Sequence, residues 1–269
     1  MQRLGTSPFF LFNPLNYWTW YFNPGPYNGP LGDIMIISGA HVHVNSTGDP
    51  YNRPEIQMIS YHDLFTQDYG IMFPRNLGLS DEFMQHHEHV MGGDGVTFLP
   101  KMLRPKSRGT VRLASKNYQD YPIIDPQYFK DPHDVQVMAD GLKLSKKVLD
   151  SPNFKNAGVI PEVGQFCKEH KPWSDEYFRC HAVNYSFTVY HPIGTCKMGK
   201  KDDPMAVVNP SLQMIGIDKL RVIDASVMPR LPGGNTNAPT VMIGEKGADM
   251  ILQLYGKGTN FESKSRDEL

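Results

Sequence analysis

The chain has 269 residues, 40% of them hydrophobic, and a formal net charge of −1 from 27 basic and 28 acidic side chains. This is the composition of a folded protein with one large or two small cores, and the absence of a basic block argues against a nucleic-acid partner. No apolar run approaches the roughly 18 residues that a membrane span requires.

Residues 1–30 carry Pro8, Pro14, Pro24, Pro26 and Pro30 and read as an irregular, linker-like segment, because proline removes a helix donor and clashes with the preceding turn. They are aromatic but have no small-residue cleavage site, so they do not read as a signal peptide. "DIMIISGAHVHVN" follows as one or two strands. In "PEIQMISYHD", Ile56, Met58 and Ser60 fall on one face and Gln57, Ile59 and Tyr61 on the other, the period-2 pattern of a half-covered strand. "RGTVRLAS" (108–115) is a further short strand.

"DPHDVQVMADGLKLSKKVLDSP" (131–152) predicts a helix with Asp131 as N-cap and Pro132 in its first position. Val135, Met138, Leu142, Ser145 and Leu149 form its expected inner face. A second helix is expected over "SDEYFRCHAVNY" (174–185), opened by a capping serine. "LRVIDAS" (220–226) reads as a buried strand ending at a turn, and "NAPTVMIGEKGADMILQLY" (237–255) as a helix capped by Asn237. The tail, 256–269, is polar and expected to be flexible. It ends Arg266-Asp267-Glu268-Leu269, which resembles the retrieval signal of the endoplasmic reticulum and implies a secreted or lumenal protein.

The residues able to carry chemistry fall in several places. "HVH" (41–43) and "HHEH" (86–89) offer imidazoles, but no third ligand has suitable spacing, so no metal site is expected. Cys167 and Cys180 either pair or, with Cys196, remain thiols. Asn45-Ser46-Thr47 and Asn184-Tyr185-Ser186 fit the N-glycosylation pattern, the first in a loop and the second expected to be buried. In "YHPIGTCKMG" (190–199), Pro192, Gly194 and Gly199 give His191 a constrained backbone that a flat ligand can approach. In "LRVIDASVMPRLPGGNTNAPTVMIGEKGADMI" (220–251), a glycine-rich loop runs into a helix N-terminus, where unpaired N–H groups favour an anionic ligand. Asn235 and Asn237 there either serve that ligand or cap the helix.

These stretches, with "FLPKMLRPKSRGTVRLASKNYQDYPIIDPQYFKDPHDV", resemble the glucose-methanol-choline family of FAD-dependent oxidoreductases, in particular its insect glucose-dehydrogenase-like branch. The resemblance runs from about Gly29 to Leu254. It implies an α/β fold: an α+β substrate-binding domain with a mostly antiparallel sheet over 31–185, then 186–255 supplying the C-terminal strand and helix of a Rossmann-like FAD domain. The family's N-terminal Gly-x-Gly-x-x-Gly loop is not found. "MGGDGVTF" has Gly93 and Gly95, but Phe98 stands at the third glycine position. The chain therefore reads as the C-terminal portion of a larger enzyme. Carried over by position, His191 matches the family's active-site histidine, and Asn235 the second active-site position, which is histidine or asparagine in different members. Asp224 and Ala225 fall where the family contacts the ribityl-phosphate region of FAD. Asn235, Thr236 and Asn237 fall where its backbone approaches the pyrimidine edge of the ring. The implied reaction is oxidation of a small-molecule alcohol or sugar, with His191 taking the hydroxyl proton. The other reading is a non-catalytic binding or interaction protein derived from this family.

Overall fold

A computed structural model describes residues 38–44, 51–61, 77–91 and 95–256. The predicted strand start at 34–37, the segment 1–30, the sequon at Asn45 and the tail beyond Gly256 lie outside these residues. The chain forms two compact units: Met1–Gly109 with Pro126–Thr188, and Thr110–Asp125 with Val189–Leu269.

The first unit is built on an antiparallel sheet in the order β1 (Ser38–Val42), β2 (Ile56–Tyr61), β3 (Thr97–Met102). The alternation expected of β2 is present, with Ile56, Met58 and Ser60 buried and their neighbours partly exposed. Pro100 lacks an N–H and sits opposite Met58 on β3, an edge strand of this sheet, where a missing donor breaks no ladder on its outer side. A short helix, α1 (Asp81–His86), precedes the principal helix α2 (Pro132–Leu149) in the chain, and another, α3 (Pro152–Asn156), follows it.

Asp131 caps α2 by accepting the His133 N–H at 2.9 Å, as its position predicts. The inner face of α2 is turned in part from the expected one: Ser145 is buried and Met138 and Leu142 pack against the core as expected, but Asp134, Val137, Ala139 and Gly141 are the other buried residues, while Val135 and Leu149 are only partly covered. Two contacts set this rotation. A Cβ on Gly141 would lie 3.2 Å from Pro100 Cβ and 3.4 Å from Ile56, so glycine is what lets the helix lie flat on the sheet. Asp134, although charged, is buried because it accepts the Lys106 and Ser107 N–H groups, both at 2.8 Å. Asp134 and Gly141 thus share the contact face with Val137 and Ala139, and a count of apolar residues does not register the first two.

Helix α4 (Asp175–Asn184), capped by Ser174, packs on α2 through Ala139, Tyr177 and Phe178. The Cys167–Cys180 disulfide closes this corner, resolving the choice left open by the sequence. Asn184 is exposed, not buried as expected, because it lies at the helix end on the side away from Phe178 and Ala182.

The second unit contains a hairpin of β4 (Thr110–Arg112) and β5 (Ile123–Asp125), irregular chain joined by isolated bridges, and α5 (Asn237–Leu254). Its core is Val208, Leu212, Val227, Met228 and Ile243. The strand expected over 220–226 does not form. Arg221 makes one bridge to Gln213, and the chain then enters a 3₁₀ turn at Ala225–Val227. A strand exists only by pairing, and among the described residues no neighbouring strand lies beside 222–224. Ile223 is instead occupied by α5, where a Cβ on Gly247 would fall 2.4 Å from its Cγ2.

Candidate active site

The two stretches singled out in the sequence fold against one another within the second unit. The Cys196 N–H donates to Ser226 O at 3.0 Å, and the Met198 N–H to Val227 O at 2.9 Å. Gly194 stands at φ 84, and a Cβ there would lie 3.3 Å from Met228 O, so only glycine suits both the dihedral and the approach. Ile193 and Met198 pack on the Val227–Met228–Ile243 core. The loop bearing His191 is thus clamped to the segment leading into α5.

His191 itself is half-buried, and Nδ1 of its ring lies 2.8 Å from Oγ1 of Thr236. The residue before it, Tyr190, has φ 59. A bulky side chain in the left-handed region is strained, and such strain persists where the surroundings dictate the backbone. Thr236, not Asn237, is the N-cap of α5, and Asn237 is the first helical residue. The Thr236 side chain makes no capping bond. It is 7% exposed, and its hydroxyl is turned to the imidazole. Its carbonyl accepts the N–H and the hydroxyl of Thr240, at 3.0 and 2.6 Å.

Asn235 and Asn237 are both exposed on either side of that threonine. Helix geometry leaves the Asn237 and Ala238 N–H groups without intrahelical partners, and Pro239 has none to offer, so the start of α5 presents donors and partial positive charge. Asp224 is exposed and caps the 3₁₀ turn, with Oδ1 accepting the Ser226 N–H at 2.8 Å and its hydroxyl at 2.5 Å. Ala225 follows it, partly covered in the same turn. The structure therefore joins His191 to Thr236 directly and sets Asn235 and Asn237 beside that pair in the chain. Asp224 and Ala225 lie on the neighbouring segment that receives the 196–198 amides.

The pairing of Thr236 with His191 was not visible in the sequence. The two are 45 positions apart, and a threonine before a helix reads as a cap. The other histidines that drew attention turn elsewhere. His86 Nε2 is 3.9 Å from Glu82, His87 Nδ1 is 2.7 Å from Phe83 O, His89 Nε2 is 2.8 Å from Glu162, and His43 Nδ1 is 3.5 Å from Glu55. Among the described residues, one group of metal-type ligands, Glu169, His170 and Cys180, gathers within 4.8 Å, but the Cys180 sulfur is bonded to Cys167.

The GMC oxidoreductase family model matches residues 105–244, and the chain belongs to that family. It is 41% identical over 172 residues to an alcohol dehydrogenase [acceptor] of Pseudomonas putida, covering 62% of this chain and 29% of that protein. It is 38% identical over 163 residues to the glucose dehydrogenase [FAD, quinone] of Drosophila pseudoobscura pseudoobscura, covering 60% of this chain and 26% of that one. Among solved structures it is similar to pyridoxine 4-oxidase from Mesorbium loti, with TM-score 0.60 and 26% identity over 82% of this chain and 38% of that chain. The chain spans less than a third of the length of these two curated relatives.

Proposed function

We propose that this chain is the carboxy-terminal portion of an FAD-dependent oxidoreductase acting on the CH–OH group of an alcohol or sugar. The observation that carries this reading is the 2.8 Å pairing of His191 with the residue that opens α5. It sets a proton acceptor beside a helix start rich in donors.

The residues fit a flavin. The exposed amides of Asn235 and Asn237 and the open N–H groups of the first helical turn suit an electron-rich ring edge. Asp224 and Ala225 would face the ribityl-phosphate region, with one Asp224 oxygen already committed to Ser226. When bound, FAD supplies the two-electron acceptor. The chain supplies the rest. Nε2 of His191 takes the hydroxyl proton of the substrate, a task that suits a side chain with an ordinary pKa near 6.5. The Asn235 amide donates to the substrate oxygen and holds it against the imidazole. The disulfide at Cys167–Cys180 supports an oxidising compartment, secreted or lumenal, in keeping with the Arg266–Leu269 tail.

The test uses the chain joined to a family flavin domain. His191→Ala should lower turnover by roughly two to four orders of magnitude with flavin still bound, as measured by absorbance. Turnover near that of the parent removes His191 as the base. An absorbance spectrum that never acquires flavin bands, with the joined domain present, favours the non-catalytic reading.

A further inference from the structure

Thr236 leaves its capping role unfilled, although threonine in that position ordinarily accepts a helix N–H. Its hydroxyl meets a ring nitrogen instead, in a setting that is 7% exposed. A hydroxyl can do two things there. If it donates to Nδ1, the neutral ring must carry its proton on Nε2, and Nε2 can then accept nothing. If it accepts from Nδ1–H, the neutral ring carries its lone pair on Nε2.

We propose that Thr236 is a positioning residue that holds neutral His191 as the Nδ1–H tautomer and so turns the basic nitrogen, Nε2, toward the substrate. This rests on the reading of His191 as the base. The physical case follows the charge through proton transfer. When Nε2 takes a proton, the ring becomes a cation and Nδ1–H a stronger donor, so a hydrogen bond accepted by Thr236 strengthens as the charge forms. A hydroxyl donating to Nδ1 would leave Nε2 already protonated and unable to take that proton. The strained φ of 59 at Tyr190 and the clamp of residues 196–198 onto 226–228 keep the ring in register with a threonine that is itself fixed at the helix start.

The experiment needs no flavin and no turnover, so its failure is separate from a failure of the catalytic reading. The full chain is labelled with nitrogen-15 at histidine. Long-range proton–nitrogen correlation spectra are recorded above the imidazole titration range, and His191 is identified by the signal lost in His191→Gln. The expected spectrum has Nδ1 in the range of a protonated ring nitrogen and Nε2 in the range of an unprotonated one. Thr236→Val keeps the shape but deletes the hydroxyl, and should shift His191 to the averaged signals of the solvated histidines. Thr236→Ser should restore the wild-type pattern. A wild-type ring protonated on Nε2 overturns the proposal without any variant, and so does a folded Thr236→Val chain with unchanged nitrogen signals.

Discussion

The ring of His181 lies flat on that of Tyr185, with centroids 4.2 Å apart and 14° between the planes. The contact sits among His87, Phe166 and Tyr177, and Nδ1 of His181 has no hydrogen-bond partner there. Burial, and then the nearby His87, push this imidazole down to about 4. Burial lowers His87 as well.

Acid stability should follow from that contact. The unfolded chain holds the His181 proton with the ordinary pKa of about 6.5, so it binds protons that the folded chain does not. Stability is greatest above about pH 6.5, falls as the pH drops toward 4, and levels off below, with a loss on the order of 3 kcal/mol from this group. Urea unfolding of the first unit at a series of pH values reads the slope. His181→Phe keeps the stack and should flatten the profile over this window. An unchanged slope in that variant would assign the acid sensitivity elsewhere.

Asp134 is 1% exposed and accepts two backbone N–H groups. Asp134→Ala removes both acceptors and strands the amides of Lys106 and Ser107, which should destabilise the first unit by about 2–4 kcal/mol. Asp134→Asn keeps one acceptor oxygen but turns an NH₂ toward a second donor, so it should recover only part of the loss. Denaturant midpoints of the two variants, compared at equal slope, decide this.

The Cys167–Cys180 bond spans 13 positions, with Cys167 fully buried. Closing a loop of that size restricts the unfolded chain, and its loss should lower stability by roughly 2–4 kcal/mol. Paired Cys167→Ala and Cys180→Ala changes, and reductant on the parent chain, should give matching drops in the unfolding midpoint. If reductant has no effect and the thiols titrate in the native chain, the two cysteines are not bonded in solution.

In the second unit, Gly247→Ala would drive a methyl to within 2.4 Å of Ile223 Cγ2 and 2.9 Å of its Cδ1. Alanine is the better helix former by about 1 kcal/mol, whereas overpacking costs about 1–3 kcal/mol, so the net change should be a loss. Adding Ile223→Ala makes room, and the double variant should be more stable than the sum of the single effects predicts. Simple additivity would show that α5 is not held at this distance.

Much of the chain was legible without coordinates because its signals are local. The alternation of Ile56, Met58 and Ser60, the Asp131-Pro132 opening of α2 and the Ser174 cap each depend on a few neighbouring residues. The family could be read for a similar reason, since "YHPIGTCKMG" and "GGNTNAPTVMIGEKGADMI" are contiguous stretches of unusual composition. What escaped depends on partners distant in the chain. Whether 220–226 becomes a strand is decided by the presence of a neighbour to pair with, not by its own β-branched residues. Which side of α2 turns inward was decided by Gly141 meeting Ile56 and Pro100 and by Asp134 meeting two loop amides. The use of Thr236 is the sharpest case. Its sequence neighbours make it a cap, but a ring 45 residues away takes its hydroxyl, because a hydrogen bond is won by the group that folding brings within 3 Å rather than by the one nearest in sequence.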